Sequence, residues 1–108
     1  MAFYLNLYHN ITAMGTGFYI ILNIKTATGF EKYGKFFIGE DATIANAIFK
    51  TLHGSEEPNE RNLLQIDLME IRHDLPVNVK LLSCTLDEMT DNFRIITKEI
   101  FKRFNLQI

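Results

Sequence analysis

The chain has 108 residues, 47% hydrophobic, 22% charged and 12% aromatic, with a formal net charge of -2. Such a length suits a single domain over residues 1–108, because two separate cores would each sit near the lower limit for independent folding. The apolar and charged fractions exclude disordered, collagen-like and fibrous chains, and a slightly acidic balance gives no bulk attraction for nucleic acid.

Phe3, Leu5 and Leu7 alternate with Tyr4, Asn6 and Tyr8, a period of two that predicts a strand at about 2–11. Met14-Gly15-Thr16-Gly17 is turn chemistry. Phe18 to Lys25, rich in β-branched and aromatic residues, reads as a central strand. A loop at Thr28-Gly29-Phe30 leads to a strand at about 33–39. Asp41 is a good helix N-cap, and Ile44, Ala45, Ile48, Phe49 and Leu52 form a stripe at helical spacing. Gly54 stands where a C′ glycine would close that helix.

The polar stretch 55–62 is a loop, and strands follow at about 63–72 and 77–83, joined by His73-Asp74-Leu75-Pro76. Thr85 with Glu88 is a capping box. Leu86, Met89, Phe93, Ile96 and Ile100 then recur at steps of three and four, with acids near the start and bases near the end of the helix. A gapless shift of 44 residues pairs Ile20, Leu22 and Ile24 with Leu64, Ile66 and Leu68, and cap Asp41 with cap Thr85. The expectation is an α+β domain: a five-stranded, mainly antiparallel sheet in the order β-β-β-α-β-β-α, both helices on one face, with an internal ββα pseudo-repeat.

Chemistry-bearing patterns are few. His9, His53 and His73 lack a second ligand at a metal-binding spacing, and Gly15-Thr16-Gly17 precedes a strand instead of a helix, so neither a metal nor a phosphate-bearing cofactor is expected. Phe30 to Phe37 interleaves aromatics with lysines, a composition suited to stacking on bases, but Glu31, Glu40 and Asp41 offset the charge. Cys84 is the single cysteine; it excludes an intramolecular disulfide and fits a reducing, cytoplasmic setting. Its place between a strand and a helix cap makes it the one candidate reactive thiol, because oriented N–H groups there can favour a thiolate. The longest early apolar run, Phe18 to Leu22, is far short of the roughly 20 residues a bilayer span needs, and no positive n-region precedes it.

One asymmetry bears on function. If Ile20, Leu22, Leu64, Ile66, Leu68 and Val79 face the helices, the alternating residues face away, and they include Tyr4, Tyr8, Tyr19, Ile21, Met69 and Leu82 with very few charges. Tyrosine, isoleucine and methionine beside small polar groups are what interface cores contain, and an uncharged edge strand invites pairing with another chain. The expectation is a non-catalytic, adaptor-like interaction domain that forms a homodimer through this face or its first strand. The element order resembles that of small dimeric chaperone-like and adaptor domains, which points the same way. The alternative is a small-molecule binder or enzyme with a pocket near Cys84, for which Cys84 and His73 are the nameable chemical groups.

Overall fold

The computed structural model describes residues 3–4, 17–57, 59 and 61–104. In chain order the elements are β1 (Phe3–Tyr4), β2 (Gly17–Thr26), β3 (Gly29–Phe37), α1 (Ala42–Lys50), β4 (Leu64–Arg72), β5 (Leu75–Cys84) and α2 (Leu86–Phe104). The fold is α+β, a four-stranded antiparallel sheet with two helices in the order ββαββα. Its strands lie in the order β3-β2-β4-β5, and the two residues of β1 pair in parallel with Gly34 and Lys35 on the outer side of β3. The expected five-stranded, mainly antiparallel sheet is therefore corrected to four antiparallel strands: of the strand expected at about 2–11, Phe3 and Tyr4 form a two-residue parallel pairing with β3, and the remainder of that stretch lies outside the described residues.

Burial drives the arrangement. Ile20 and Leu22 of β2, Ile66 and Leu68 of β4, and Ile96 of α2 are fully buried in one cluster with Ala45, Ile48 and Phe49 of α1. Each aliphatic side chain so placed contributes about 1.5–3 kcal/mol relative to exposure. Because residues two apart on a strand share a face, Ile20, Leu22, Ile66 and Leu68 commit β2 and β4 to one orientation. The cross-strand pairs Ile20↔Leu68 and Leu22↔Ile66 bring these side chains together in the middle of the sheet.

The β2–β3 hairpin is tighter than its glycine-marked loop suggests. Thr26 pairs directly with Gly29, whose φ of +124° is one that side chains rarely adopt, so β3 starts at Gly29 and not near residue 33. Thr26 Oγ1 fixes the turn by donating to the Gly29 carbonyl at 2.8 Å. At the other hairpin Arg72 pairs with Leu75, leaving His73 and Asp74 as the central residues, with φ of +50° and +66°. Positive φ at both positions is what a type I′ hairpin turn requires.

Both helix caps form as the sequence indicates. Asp41 Oδ1 accepts from the Thr43 and Ile44 N–H groups at 2.8 and 3.1 Å. Thr85 and Glu88 make the reciprocal capping-box bonds, Thr85 N–H to Glu88 Oε1 at 2.9 Å and Glu88 N–H to Thr85 Oγ1 at 3.2 Å. The far end of α1 differs from expectation. Thr51 is the C-cap, in a right-handed conformation, so Gly54 lies beyond the helix in a segment with another task.

Candidate functional site

Of the six residues singled out by patterning, Tyr19, Ile21 and Met69 lie on the sheet face opposite the helices. Along β2 this face shows Tyr19, Ile21 and Asn23, paired on one side with Phe37, Lys35 and Lys32 of β3 and on the other with Met69, Asp67 and Gln65 of β4. Tyr19 and Ile21 are only 3% and 7% exposed, so they are already buried within a single chain. Tyr19 packs against Phe37 with ring centroids 5.4 Å apart, and the Lys35 ammonium lies 4.6 Å from the Tyr19 ring centre. Burial and the neighbouring Lys32 charge lower the Lys35 pKa. Met69 is half-buried beside Tyr19. Tyr4 enters through its backbone pairing with Lys35, and Tyr8 lies outside the described residues.

Leu82 is a correction. It pairs with Ile66 and belongs to the helix-covered core, while Leu81 pairs with Asp67 on the opposite face. The cause is a bulge: Met69 pairs with Asn78 but Leu68 with Lys80, leaving Val79 as an extra residue that packs against the core. One inserted residue exchanges the two faces for the rest of β5, which strict alternation cannot foresee.

Polar chemistry at the centre of the open face is self-contained. Asn23 Nδ2 donates to Asp67 Oδ2 at 3.0 Å, and Gln65 Nε2 donates to Asp67 Oδ1 at 2.9 Å. Both carboxylate oxygens are thereby held by neighbouring amides. Asp67, Gln65 and Met69 are each half-buried.

Cys84 belongs to a different constellation, one that fastens the chain between α1 and β4 to the second half. Asn92 on α2 is fully buried; its Oδ1 accepts from the His53 N–H at 2.7 Å and its Nδ2 donates to the His53 carbonyl at 2.8 Å. A side-chain amide thus stands in for a neighbouring strand. The Cys84 thiol donates to the same His53 carbonyl at 3.4 Å, and Asn92 Nδ2 lies 3.6 Å from its sulfur. Ser55 and Ser83 exchange two backbone hydrogen bonds of 2.9 and 2.7 Å alongside. Gly54 is held between these anchors: a Cβ there would lie 2.9 Å from the Ser83 carbonyl oxygen and 3.1 Å from the Cys84 sulfur.

Burial pushes the Cys84 thiol up to about 11, reinforced by the Glu88 carboxylate and opposed by the Asn92 amide. Such a thiol is protonated at neutral pH, and the thiolate is the nucleophile. Its partners also account for its position: Cys84 packs and donates at the junction of the two halves. The Tyr33 hydroxyl is likewise pushed up, by burial and by proximity to Cys84. His53 takes part through its backbone, and His73 sits in the β4–β5 turn, far along β5 from Cys84. Among the described residues no three His, Cys, Asp or Glu side chains are grouped to hold a metal ion.

Asn92 is a functional residue that the apolar stripe of α2 does not include. The signal was present: Met89, Asn92 and Ile96 lie three and four apart on one helix face, so a polar residue interrupts the buried stripe. A polar group in that position needs a specific partner.

A groove of about 560 Å³ runs between the end of α1, the segment around Gly54 and the edge strand β5. Phe49, Leu52, Val79 and Leu82 give it an apolar lining, and Lys50, Lys80 and Glu56 contribute the charges. Gly54 and Leu82 are shared with the Cys84 junction, but the thiol itself does not line the groove. No described helix is long and apolar enough to cross a membrane. Compared with known proteins, the chain matches no family model, no curated sequence and no solved structure.

Proposed function

We propose that this chain is a non-catalytic interaction domain that self-associates through the sheet face opposite its helices, along β4. The observation that carries this reading is the state of Asp67. The acid at the middle of the face is bonded through both oxygens to Asn23 and Gln65, and half-buried Met69 lies beside them. A strand face built for water carries free charges; this strip presents a fixed, hydrogen-bonded carboxylate amid amide and thioether groups. A second copy of the same strip meets these requirements in a two-fold arrangement, which is self-complementary by construction.

Sedimentation velocity over a range of concentrations, paired with native mass spectrometry, tests the reading. The expected result is a dimer that Met69→Lys and Met69→Glu each convert to a folded monomer with unchanged circular dichroism. Wild-type protein that stays monomeric at every concentration, or variants that dimerise as before, overturn it.

A second reading, small-molecule binding, rests on the groove beside the Cys84 junction. Its apolar floor and flanking lysines suit an amphipathic anion more than a nucleophile's substrate, because the one thiol nearby is protonated and turned into the junction. An added mass retained in the native spectrum favours this second reading.

A further inference from the structure

We propose that the groove along the outer edge of β5 receives an extended, acidic segment of a partner protein as an additional strand. Three observations converge on this edge, and none depends on the self-association reading above.

First, the outer edge already accepts a strand pairing. Ser55 exchanges backbone bonds with Ser83 in an isolated antiparallel bridge. In a strand alternate residues direct both N–H and C=O to the same side, so Leu81 offers its pair in the direction used by Ser83. Among the described residues no backbone group meets β5 there except Ser55. The segment that starts the pairing leaves after one residue pair, and the edge continues without it.

Second, the free stretch opens into a cavity and not onto a flat surface. The groove of about 560 Å³ follows β5 from Asn78 to Leu82, with Phe49 and Leu52 of the first half as its opposite wall. At roughly 3.3 Å per residue that length takes about four or five residues of an extended chain. Strand addition draws affinity from main-chain bonds and specificity from pockets for alternate side chains, and the apolar wall supplies such pockets.

Third, charge selects the occupant. Lys50 and Lys80 flank the groove, both exposed, and neither takes part in an ion pair among the described residues. Glu56 stands at the Ser55 end, where the edge is already occupied. The open part of the groove is therefore basic. A second copy of this chain is disfavoured there, because antiparallel pairing of two β5 edges about this stretch would bring like lysines together. Acidic side chains alternating with apolar ones match both the flanking charges and the wall.

The test uses the full chain, labelled with ¹⁵N, and an acetylated, amidated hexapeptide of alternating glutamate and valine. The expected result is saturable shifts confined to residues 49–56 and 78–83, with slowed exchange of the Leu81 N–H. Lys50→Glu with Lys80→Glu should weaken binding by about tenfold or more, and the doubly changed protein should prefer a lysine–valine hexapeptide. Peptide methylated on alternate backbone nitrogens should not bind, because it cannot form the ladder. No shifts up to the solubility limit, shifts elsewhere, equal binding of the lysine peptide, or undiminished binding of the methylated peptide would each overturn the proposal. Met69→Lys leaves this groove untouched, so failure of self-association and failure of strand addition are read separately.

Discussion

The two ββα halves reach similar arrangements by different means. β2 and β4, which a 44-residue shift superposes in sequence, also pair with each other so that Leu22 faces Ile66, its own counterpart under that shift, with Ile20↔Leu68 and Ile24↔Leu64 disposed evenly about it. That register is what a two-fold axis through the centre of the sheet would produce. Away from this axis the halves diverge. Leu22 pairs with Gly34 but Ile66 with Leu82, so the outer strands are offset by four residues from the gapless shift, and the two bulges fall at different places. α1 spans nine residues and α2 nineteen. The shorter helix ends at Thr51, and the chain beyond it is secured by Asn92, Cys84 and Ser83, all from the second half. The first half is therefore not self-sufficient: its exit is completed by two side chains and a backbone pairing of the other.

Removing that completion should have the largest effect. Asn92→Leu keeps the branched side-chain shape, with somewhat larger methyl groups, and completes the apolar stripe, but leaves the His53 N–H and C=O without their amide partner. The expected loss is about 2–3 kcal/mol, the cost of unsatisfied, partly buried polar groups. Urea unfolding checks it, and hydrogen exchange should show the His53 and Ser55 amides opening before the β2–β4 centre. A loss below about 0.5 kcal/mol would mean that the first half closes itself without the second.

Gly54→Ala attacks the same junction sterically. At φ +154° and with a Cβ 2.9 Å from a backbone carbonyl oxygen, the new methyl forces β5 or the linking segment to move. We expect about 2 kcal/mol of destabilisation, again by urea, and loss of the Ser55–Ser83 pairing in exchange. The counterpart under the 44-residue shift, Lys98, lies within α2, so no matching constraint exists in the second half.

Cys84 makes the junction between the halves sensitive to pH. Burial raises the folded-state thiol to about 11, whereas the unfolded chain ionises near the ordinary value of about 8.5–9. Below that range both states hold the proton and the full stability is present. As pH rises through it the unfolded state releases its proton first, so stability falls until the folded-state value is passed and then levels off. The predicted loss between pH 9 and 11 is on the order of 2 kcal/mol, and it should vanish in Cys84→Ala, whose own stability is lower at neutral pH but flatter across this window. In the native protein at pH 8 a thiol reagent should react about a hundred times more slowly than with the unfolded chain.

Much of this architecture was legible in the residues. Period-two runs located β2 and β4, and the stripe Ala45, Ile48 and Phe49 located α1 with its core face. Asp41 and the Thr85–Glu88 pair fixed where the helices begin, because capping is a local interaction between neighbours in sequence. What escaped was long-range or depended on a single inserted residue. Nothing near Val79 announces a bulge, yet it transfers Leu82 from the open face to the core. Tyr19 and Ile21 were legible as one face of β2, but alternation reports a face and not whether the same chain covers it. Asn92 and His53 are 39 residues apart, and only the fold brings them together.

The smallest expected effect concerns the turns, where the halves differ in a way that sequence can repair. The β2–β3 turn places a glycine at its positive φ, whereas the β4–β5 turn imposes φ of +50° and +66° on His73 and Asp74. Left-handed backbone crowds a side chain against the following carbonyl, and Asn and Gly bear it best. Replacing His73, whose φ is +50°, by asparagine should therefore stabilise the protein by about 0.5 kcal/mol in urea unfolding. The replacement lies at the far end of β5 from the Cys84 junction, so its effect should add to that of Asn92→Leu with no coupling. A coupling above about 0.5 kcal/mol would show instead that β5 transmits strain along its length, through the bulge at Val79 that lies between the two sites.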